Sequence, residues 1–581
     1  MDPSPSRRIG WRRAWAWRPA RCPVWCPALC LALAGVGCTG QIGEVASAGE
    51  PAPEDAPPDL EAPPPEVPLA PRMRLLEARE YAASVEALLG LEVSSGIQHG
   101  DRSNGYPTSA RAQVDEALYT TLLGEAERLG EAYVAGPLAE DAPCMAGAPD
   151  GACVEGFARD LATRAWRRPV GDEELAGLRA LWDRVHADAS DPALATRALL
   201  TRVLMSAHFL HRFEVGTPAG DGERLLSPWE QASLIAYTLT GAPPDAPLLE
   251  AAADGLDEGE RREHAERLLD SAAGRRTLAR FVRFYLRADE LERMAAQPGE
   301  YPKLASAAQG QDLLEELDRF VEAVVYEGDG TFQGLLTADR APISAATAPL
   351  YEVDAEAVPE GDWGRHEFDP SRRRGVLGLA SVLAAHGSAN QAYEDSPVSR
   401  GLLLKNHFFC ESIGLPSGID VASAADMAGL DADALDELTV REQAEGLMNQ
   451  GPACVECHAQ FMPLGFAFGS FDALGRWQES RNGRPIDTSV DEVVVAERSR
   501  SYAGHLELID ALVEEPVVAA CFARHAAAWV SGEVSAERLD TVARRALAEG
   551  NPEALDVRGL LVDMLAEPRT YLRAQDMGGE E

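Results

Sequence analysis

The sequence predicts a mainly α-helical, multidomain body with a C-terminal module built around a CxxCH motif, after a signal peptide and a Pro-rich linker. Three observations predict it. From Arg72 onward apolar residues recur at helical spacing and strand-like alternation is scarce. At 581 residues the chain exceeds what one hydrophobic core organises. The Cys454-Val-Glu-Cys457-His458 run is the one chemically sharp pattern. Its 46% hydrophobic and 25% charged fractions are those of globular protein, neither disordered nor polytopic in the membrane.

Residues 1–37 read as a signal peptide. Arg7, Arg8, Arg12, Arg13, Arg18 and Arg21 precede an apolar run, Val24 to Gly37, too short to span a bilayer. The run closes on Leu33-Ala-Gly-Val-Gly-Cys38, which resembles a lipobox and makes Cys38 the expected lipidated N-terminus; cleavage after Ala48 is the alternative. The expected location is the bacterial envelope, as an outer-membrane or periplasmic lipoprotein, touching the membrane through its lipid anchor only. Gly35, Gly37 and Gly40 match a dinucleotide-binding spacing, but no strand-turn-helix unit surrounds them. Residues 38–71 hold the anchor and a Pro/Glu-rich tether that cannot bury enough apolar surface to order itself.

The formal net charge is −41, and about −46 once the basic first 37 residues are set aside. Such a surface repels nucleic acid and anionic headgroups. The body divides into a helical segment over 72–150, helical domains over 151–217 and 218–352, the CxxCH domain over 370–490 and a helical domain over 491–575. Ser227-Pro228-Trp229-Glu230 joins an N-cap, a Pro at the first helical position and a capping-box Glu, so a helix runs from there to Thr240. Gly241 and Pro243-Pro244 stop it. Thr439-Val-Arg-Glu442 opens a second helix toward Asn449. Trp166, Trp182 and Trp229 read as core aromatics, and Arg167 and Arg168 as residues that cap or brace carboxylates and do not bind a ligand.

Several blocks carry a family resemblance. They are Arg74-Leu-Leu-Glu-Ala-Arg-Glu-Tyr81, Arg164-Ala-Trp-Arg-Arg-Pro169, Leu204-Met-Ser-Ala-His-Phe-Leu210, Arg374-Gly-Val-Leu377, Ser396-Pro-Val-Ser-Arg-Gly401 and Phe471-Asp-Ala-Leu-Gly-Arg476. In this order they resemble an uncharacterised bacterial multidomain family made of the domain-of-unknown-function families 1587, 1595, 1592, 1588 and 1585. The resemblance spans most of residues 72–575. It implies architecture more than mechanism, since several relatives carry cytochrome-like modules but the family's biochemistry is not settled.

Of ten cysteines, Cys22, Cys26 and Cys30 leave with the signal, and Cys38 takes the lipid. In an oxidising envelope Cys144 and Cys153, flanking a Gly- and Pro-containing loop, form the first expected disulfide, with a chain-entropy stabilisation of about 2.7 kcal/mol. If Cys454 and Cys457 hold haem, Cys410 and Cys521 are left to each other, closing a longer loop.

Two thiols three positions apart on a helical turn reach the vinyl groups along one porphyrin edge, and the adjoining His turns its imidazole onto the iron. Cys454 and Cys457 are therefore the expected haem c tethers and His458 the proximal iron ligand, making the module cytochrome c-like. At these Cys and His frequencies chance gives about 0.003 such matches. The alternatives are a redox dithiol, a structural disulfide, or a zinc site drawing on Cys410, Cys454, Cys457 and His458 or Cys521.

Met462, four residues after His458, shares its face on a continuing helix and so cannot reach the opposite side of a haem. Met448, Met427, His386, His407 and His525 are the distal candidates, and a vacant position is the further option. Phe461, Leu464, Phe466, Phe468, Phe471 and Trp477 are expected to gather around the macrocycle, or else to form plain core. No nucleophile elbow, Walker loop or H-E-x-x-H helix is present, so hydrolase and nucleotide chemistry lack support. The leading expectation is electron transfer with an unidentified redox or envelope protein. The alternative is a non-catalytic lipoprotein scaffold or binding module whose CxxCH segment is a structural disulfide or zinc site.

Overall fold

The computed structural model describes residues 69–575 apart from 95–101, 104–105, 108–113, 221, 360, 389–395, 414–437, 449–451, 533–538 and several positions in 541–553. Cys38, the signal and most of the tether lie outside the described residues, as does Met427. The described chain is mainly helical, as its periodicity predicts, and its strands are short antiparallel pairs or ribbons.

Local signals place the helices. Ser227 caps Pro228–Thr240, with the Glu230 carboxylate accepting from the Ser227 backbone N–H at 2.8 Å, and Gly241 ends it at φ 65°. Thr439 and Glu442 form the second expected box, at the start of Val440–Met448. Asp150 caps Gly151–Trp166 by accepting from the Cys153 N–H at 2.8 Å, and so steadies the Cys144–Cys153 disulfide, which forms as expected.

The buried side chains sort into two large clusters and one small one. The first is built on Ala78–Leu89, Glu116–Ala135, Gly151–Trp166, Asp172–Ala189 and Pro192–Leu204, and holds Leu129, Leu161, Leu199, Trp166 and Trp182. The second gathers Ala272–Tyr285 and Ala307–Glu322 with the sequence-distant Pro516–Ser531 and Val557–Ala566, with Phe281, Phe320, Phe522 and Leu561 inside. Trp229 packs at its edge. Tyr237, on the Pro228–Thr240 helix, belongs to the first cluster; its hydroxyl contacts Ser84 at 2.8 Å and accepts from Arg167 at 2.9 Å. Arg168 braces Glu174 at 2.7 Å as expected, whereas buried Arg167 caps carbonyls of His208, Phe209 and His211 instead of a carboxylate. Its backbone sits in the left-handed C-cap of Gly151–Trp166, which carries its side chain away from the acid-rich surface.

Polar contacts tie the ends of the described chain together. Arg72–Leu75 pairs antiparallel with His211–Glu214, and Leu572–Ala574 pairs with Glu223–Leu225. The buried Glu214 carboxylate accepts from Arg72 at 2.9 Å, Arg573 at 3.0 Å and Arg74 at 3.5 Å, with Arg212 at 3.6 Å. Arg212 also donates to Glu80 at 2.7 Å. Four guanidiniums hold Glu214 far below the usual carboxylate range despite its burial. No described helix is long and apolar enough to cross a membrane.

Candidate haem-attachment site

The motif lies on the short helix Pro452–His458, where Pro452 supplies a first helical position that needs no amide donor. Cys454 and Cys457 are three positions apart in that helix; the Cys454 side chain lies outside the described residues. The helix is half-immersed. Val455 and Glu456 face out, Val455 being 40% exposed, while Cys457 and His458 are half-buried.

Cys457 packs against the third, small cluster of Ala444, Phe461, Met462 and Phe466, bordered by Val398, Leu402 and Ile413. The His458 ring lies 5.3 Å from that of Phe461, and its Nδ1 is 2.8 Å from Met462 Sδ. Met462 thus shares the side of His458, although the chain turns between them and Met462 opens a new helix, Met462–Phe466. Burial alone lowers the His458 pKa, with no charged neighbour contributing, so the imidazole is neutral near pH 7. Iron ligation requires that neutral form.

The expected aromatic group divides in two. Phe461 and Phe466 join Met462 beside Cys457, whereas Leu464, Phe468 and Phe471 enter the large core, with Trp477 packed against it. Helical phase explains the split, because Met462 and Phe466 are one turn apart while Leu464 points the opposite way. On that far side, Phe471 meets Trp477 and His505 edge-on at 5.3 and 5.0 Å.

The small cluster is seated by a glycine crossing, in which Gly465 allows the close backbone approach that its sequence position suggests and Gly401 is the partner that the sequence alone did not single out. Pro397–Leu403 packs on Met462–Phe466 so closely that a Cβ on Gly401 would lie 2.2 Å from the Phe461 carbonyl oxygen. One on Gly465 would lie 1.9 Å from that of Pro397. Two glycines in facing short helices were the available signal. Arg400 fixes the next turn by donating to the carbonyls of Phe468, Phe471 and Asp472 at 2.8–2.9 Å.

The distal candidates are placed as follows. The Met448 side chain lies outside the described residues. His386 has both ring nitrogens engaged, by Ser399 Oγ at 2.9 Å and the Leu286 carbonyl at 2.7 Å, and burial takes its pKa to about 4. His407 and His525 stack on each other at 4.6 Å and face Tyr285. Beside them Cys410 and Cys521 form the second expected disulfide. The sulfurs that a zinc site would recruit from outside the motif are thereby joined to each other.

A half-buried cysteine and a neutral histidine beside an apolar cluster fit a covalently held haem. Cys454 and Cys457 would tether it and His458 would ligate its iron, while Phe461, Met462 and Phe466 shed water from its edge.

Fold and site define a mainly helical, disulfide-bonded, multidomain protein with a CxxCH helix. Three family models match it, each described as a protein of unknown function: PSD5 (DUF1595) over residues 153–214, PSD4 (DUF1592) over 226–353 and PSCyt3 (DUF1588) over 373–481. The three matches follow one another along the chain and fit the multidomain family of domains of unknown function that the sequence resembles. The third match contains Cys454, Cys457 and His458; the families 1587 and 1585 are not among the matches. No curated protein and no solved structure matches the chain.

Proposed function

We propose that this protein is an envelope c-type cytochrome-like electron carrier with one haem c held by Cys454, Cys457 and His458. The observation that carries the reading is the setting of His458: neutral, half-buried, clear of charged groups and next to a half-buried motif cysteine. When bound, the haem supplies a one-electron couple. The chain's own residues orient the imidazole through the Met462 contact, exclude water through Phe461 and Phe466, and leave Val455 and Glu456 outward where a redox partner can approach. The signal segment and Cys38 support export and a lipid anchor.

The four-residue size of the Phe461 cluster favours one other reading, a scaffold in which the motif is a structural staple for a thin part of the fold. An absorption spectrum separates the two. Full-length protein made in a host with cytochrome c maturation is expected to show a Soret band and to keep its haem after denaturation. Colourless protein carrying stoichiometric zinc, or no cofactor, would leave the scaffold.

A further inference from the structure

We propose that Cys410, Cys521 and His525 form a binding site for a thiolate-preferring divalent metal ion of the zinc class, closed by the disulfide in this structure and opened by its reduction. The site does not rest on the haem reading, because none of its residues belongs to the CxxCH motif.

Cys521 and His525 stand one turn apart on the Pro516–Ser531 helix and so face the same way. Cys410 comes from across the core, just after a π-helical turn, Leu404–Phe408, that carries His407. Such turns widen a helix locally and often mark functional positions. Cys410 itself has a left-handed backbone at φ 52°, which the chain holds although no glycine is present. The two sulfurs and a ring nitrogen of His525 all lie within 4.8 Å of one another, with His525 Nε2 4.0 Å from Cys410 Sγ.

A structural disulfide needs no imidazole at its sulfurs, and this one has the His525 ring beside it, with the His407 ring stacked on that one in turn. His407 lies flat on His525, with an interplanar angle of 10°, and Cys521 Sγ is 3.2 Å from the His407 carbonyl oxygen. His407 is over nine-tenths buried, and its Nδ1 has no hydrogen-bond partner among the described residues. A buried ring nitrogen without a partner is costly, but the groups within ligand distance of one another are Cys410, Cys521 and His525 and do not include His407. Burial holds both imidazoles neutral, the form that coordinates. Two thiolates and an imidazole are donors that tetrahedral zinc takes, with solvent or a further group in the fourth position.

Opening requires a dithiol reductant, such as an envelope thiol-disulfide oxidoreductase. Two electrons and two protons pass to the Cys410–Cys521 bond, which becomes two thiols, while the reductant's dithiol becomes a disulfide. Metal binding then displaces the two thiol protons to solvent. Reoxidation by a disulfide donor reverses the sequence and ejects the ion.

The test uses the full chain with Cys454→Ser and Cys457→Ser, so that the CxxCH thiols contribute nothing. The protein is reduced without oxygen and titrated with Co2+, whose thiolate charge-transfer and tetrahedral d–d bands report the ligands. One ion per chain is expected. Cys521→Ser should abolish the bands, His525→Ala should weaken binding at least about tenfold, and Cys144→Ser with Cys153→Ser should change nothing. His525→Ala retains both cysteines and can form the disulfide before reduction, so it tests the site independently of Cys521→Ser. The proposal is overturned if no stoichiometric ion binds, if His525→Ala binds as tightly as its parent, or if the reduced chain with Co2+ loses its helical circular dichroism. Haem attachment by the wild-type motif is read separately and is unaffected by any of these results.

Discussion

Two regions of this molecule concentrate chemically capable side chains, and they are built in opposite ways. Around Glu214, charges are sunk in the fold and each is answered: Arg72, Arg74, Arg212 and Arg573 converge on one carboxylate, and Glu80 answers Arg212 again. Around the CxxCH motif, Cys457 and His458 sit half-exposed over a cluster of only four buried residues, and no charge shifts the His458 pKa. Opposite charges paired in the interior lock a structure, whereas half-exposed thiol and imidazole groups stand where a ligand can reach them. By that criterion the Glu214 hub is a fastener between strands distant in sequence, and the motif is the site.

The largest expected effect is on the fastener. Glu214→Ala leaves several buried guanidiniums uncompensated and should cost about 3–5 kcal/mol in urea or thermal unfolding. A cost below about 1 kcal/mol would show that the hub does not hold the ends together.

Glu316 sharpens the contrast, because it is as buried as Glu214 but faces a hydroxyl and an amide. It accepts from Tyr351 at 2.9 Å and from the Ser381 N–H at 2.7 Å, and burial pushes its pKa up to about 7. The folded state therefore holds this proton more tightly than the unfolded chain. Its contribution is fully present below about pH 4.5 and is lost as pH rises through about 7. Relative to wild type, Glu316→Gln should remove about 3 kcal/mol of that slope, at about 1.4 kcal/mol per pH unit. Parallel stability curves for the two proteins between pH 4.5 and 7.5 would contradict the assignment.

At the site, Gly401→Ala should cost about 1–3 kcal/mol by overpacking and lower the haem content of the purified protein. Gly177→Ala is the control, since its Cβ meets nothing within 4 Å, and it should be neutral or stabilising. Equal haem content in the two variants would detach the helix crossing from the site. The smallest effect is expected from Met462→Leu. Met462 stands on the His458 side, so the haem bands should keep their positions, and a shifted sixth-ligand spectrum would place its sulfur on the iron.

Much of the fold was legible because its signals are local. Ser227 with Glu230, Thr439 with Glu442 and Gly241 act within one or two turns, and the structure forms all three caps. Both disulfides followed from cysteine arithmetic; Met462 lies on the His458 side as expected, but across a turn and not on the continuing helix from which that placing was argued. What escaped reading depends on long-range pairing. Arg573 and Glu214 are 359 residues apart, and an arginine in an acidic chain reads as a surface charge until the sheet register buries it. The split of the aromatic group was visible in principle from the phase of Met462–Phe466, but only once that helix start was known. Arg167 was misread as a carboxylate brace because neither spacing nor charge reveals a left-handed cap.

The most direct measurement is the intact mass and peptide map of the full-length protein matured in a host that attaches haem c. The account predicts one haem per chain, on the peptide bearing Cys454, Cys457 and His458, surviving denaturation and absent from the Cys454→Ser, Cys457→Ser variant. An unmodified peptide from protein that folds with both other disulfides intact would contradict it.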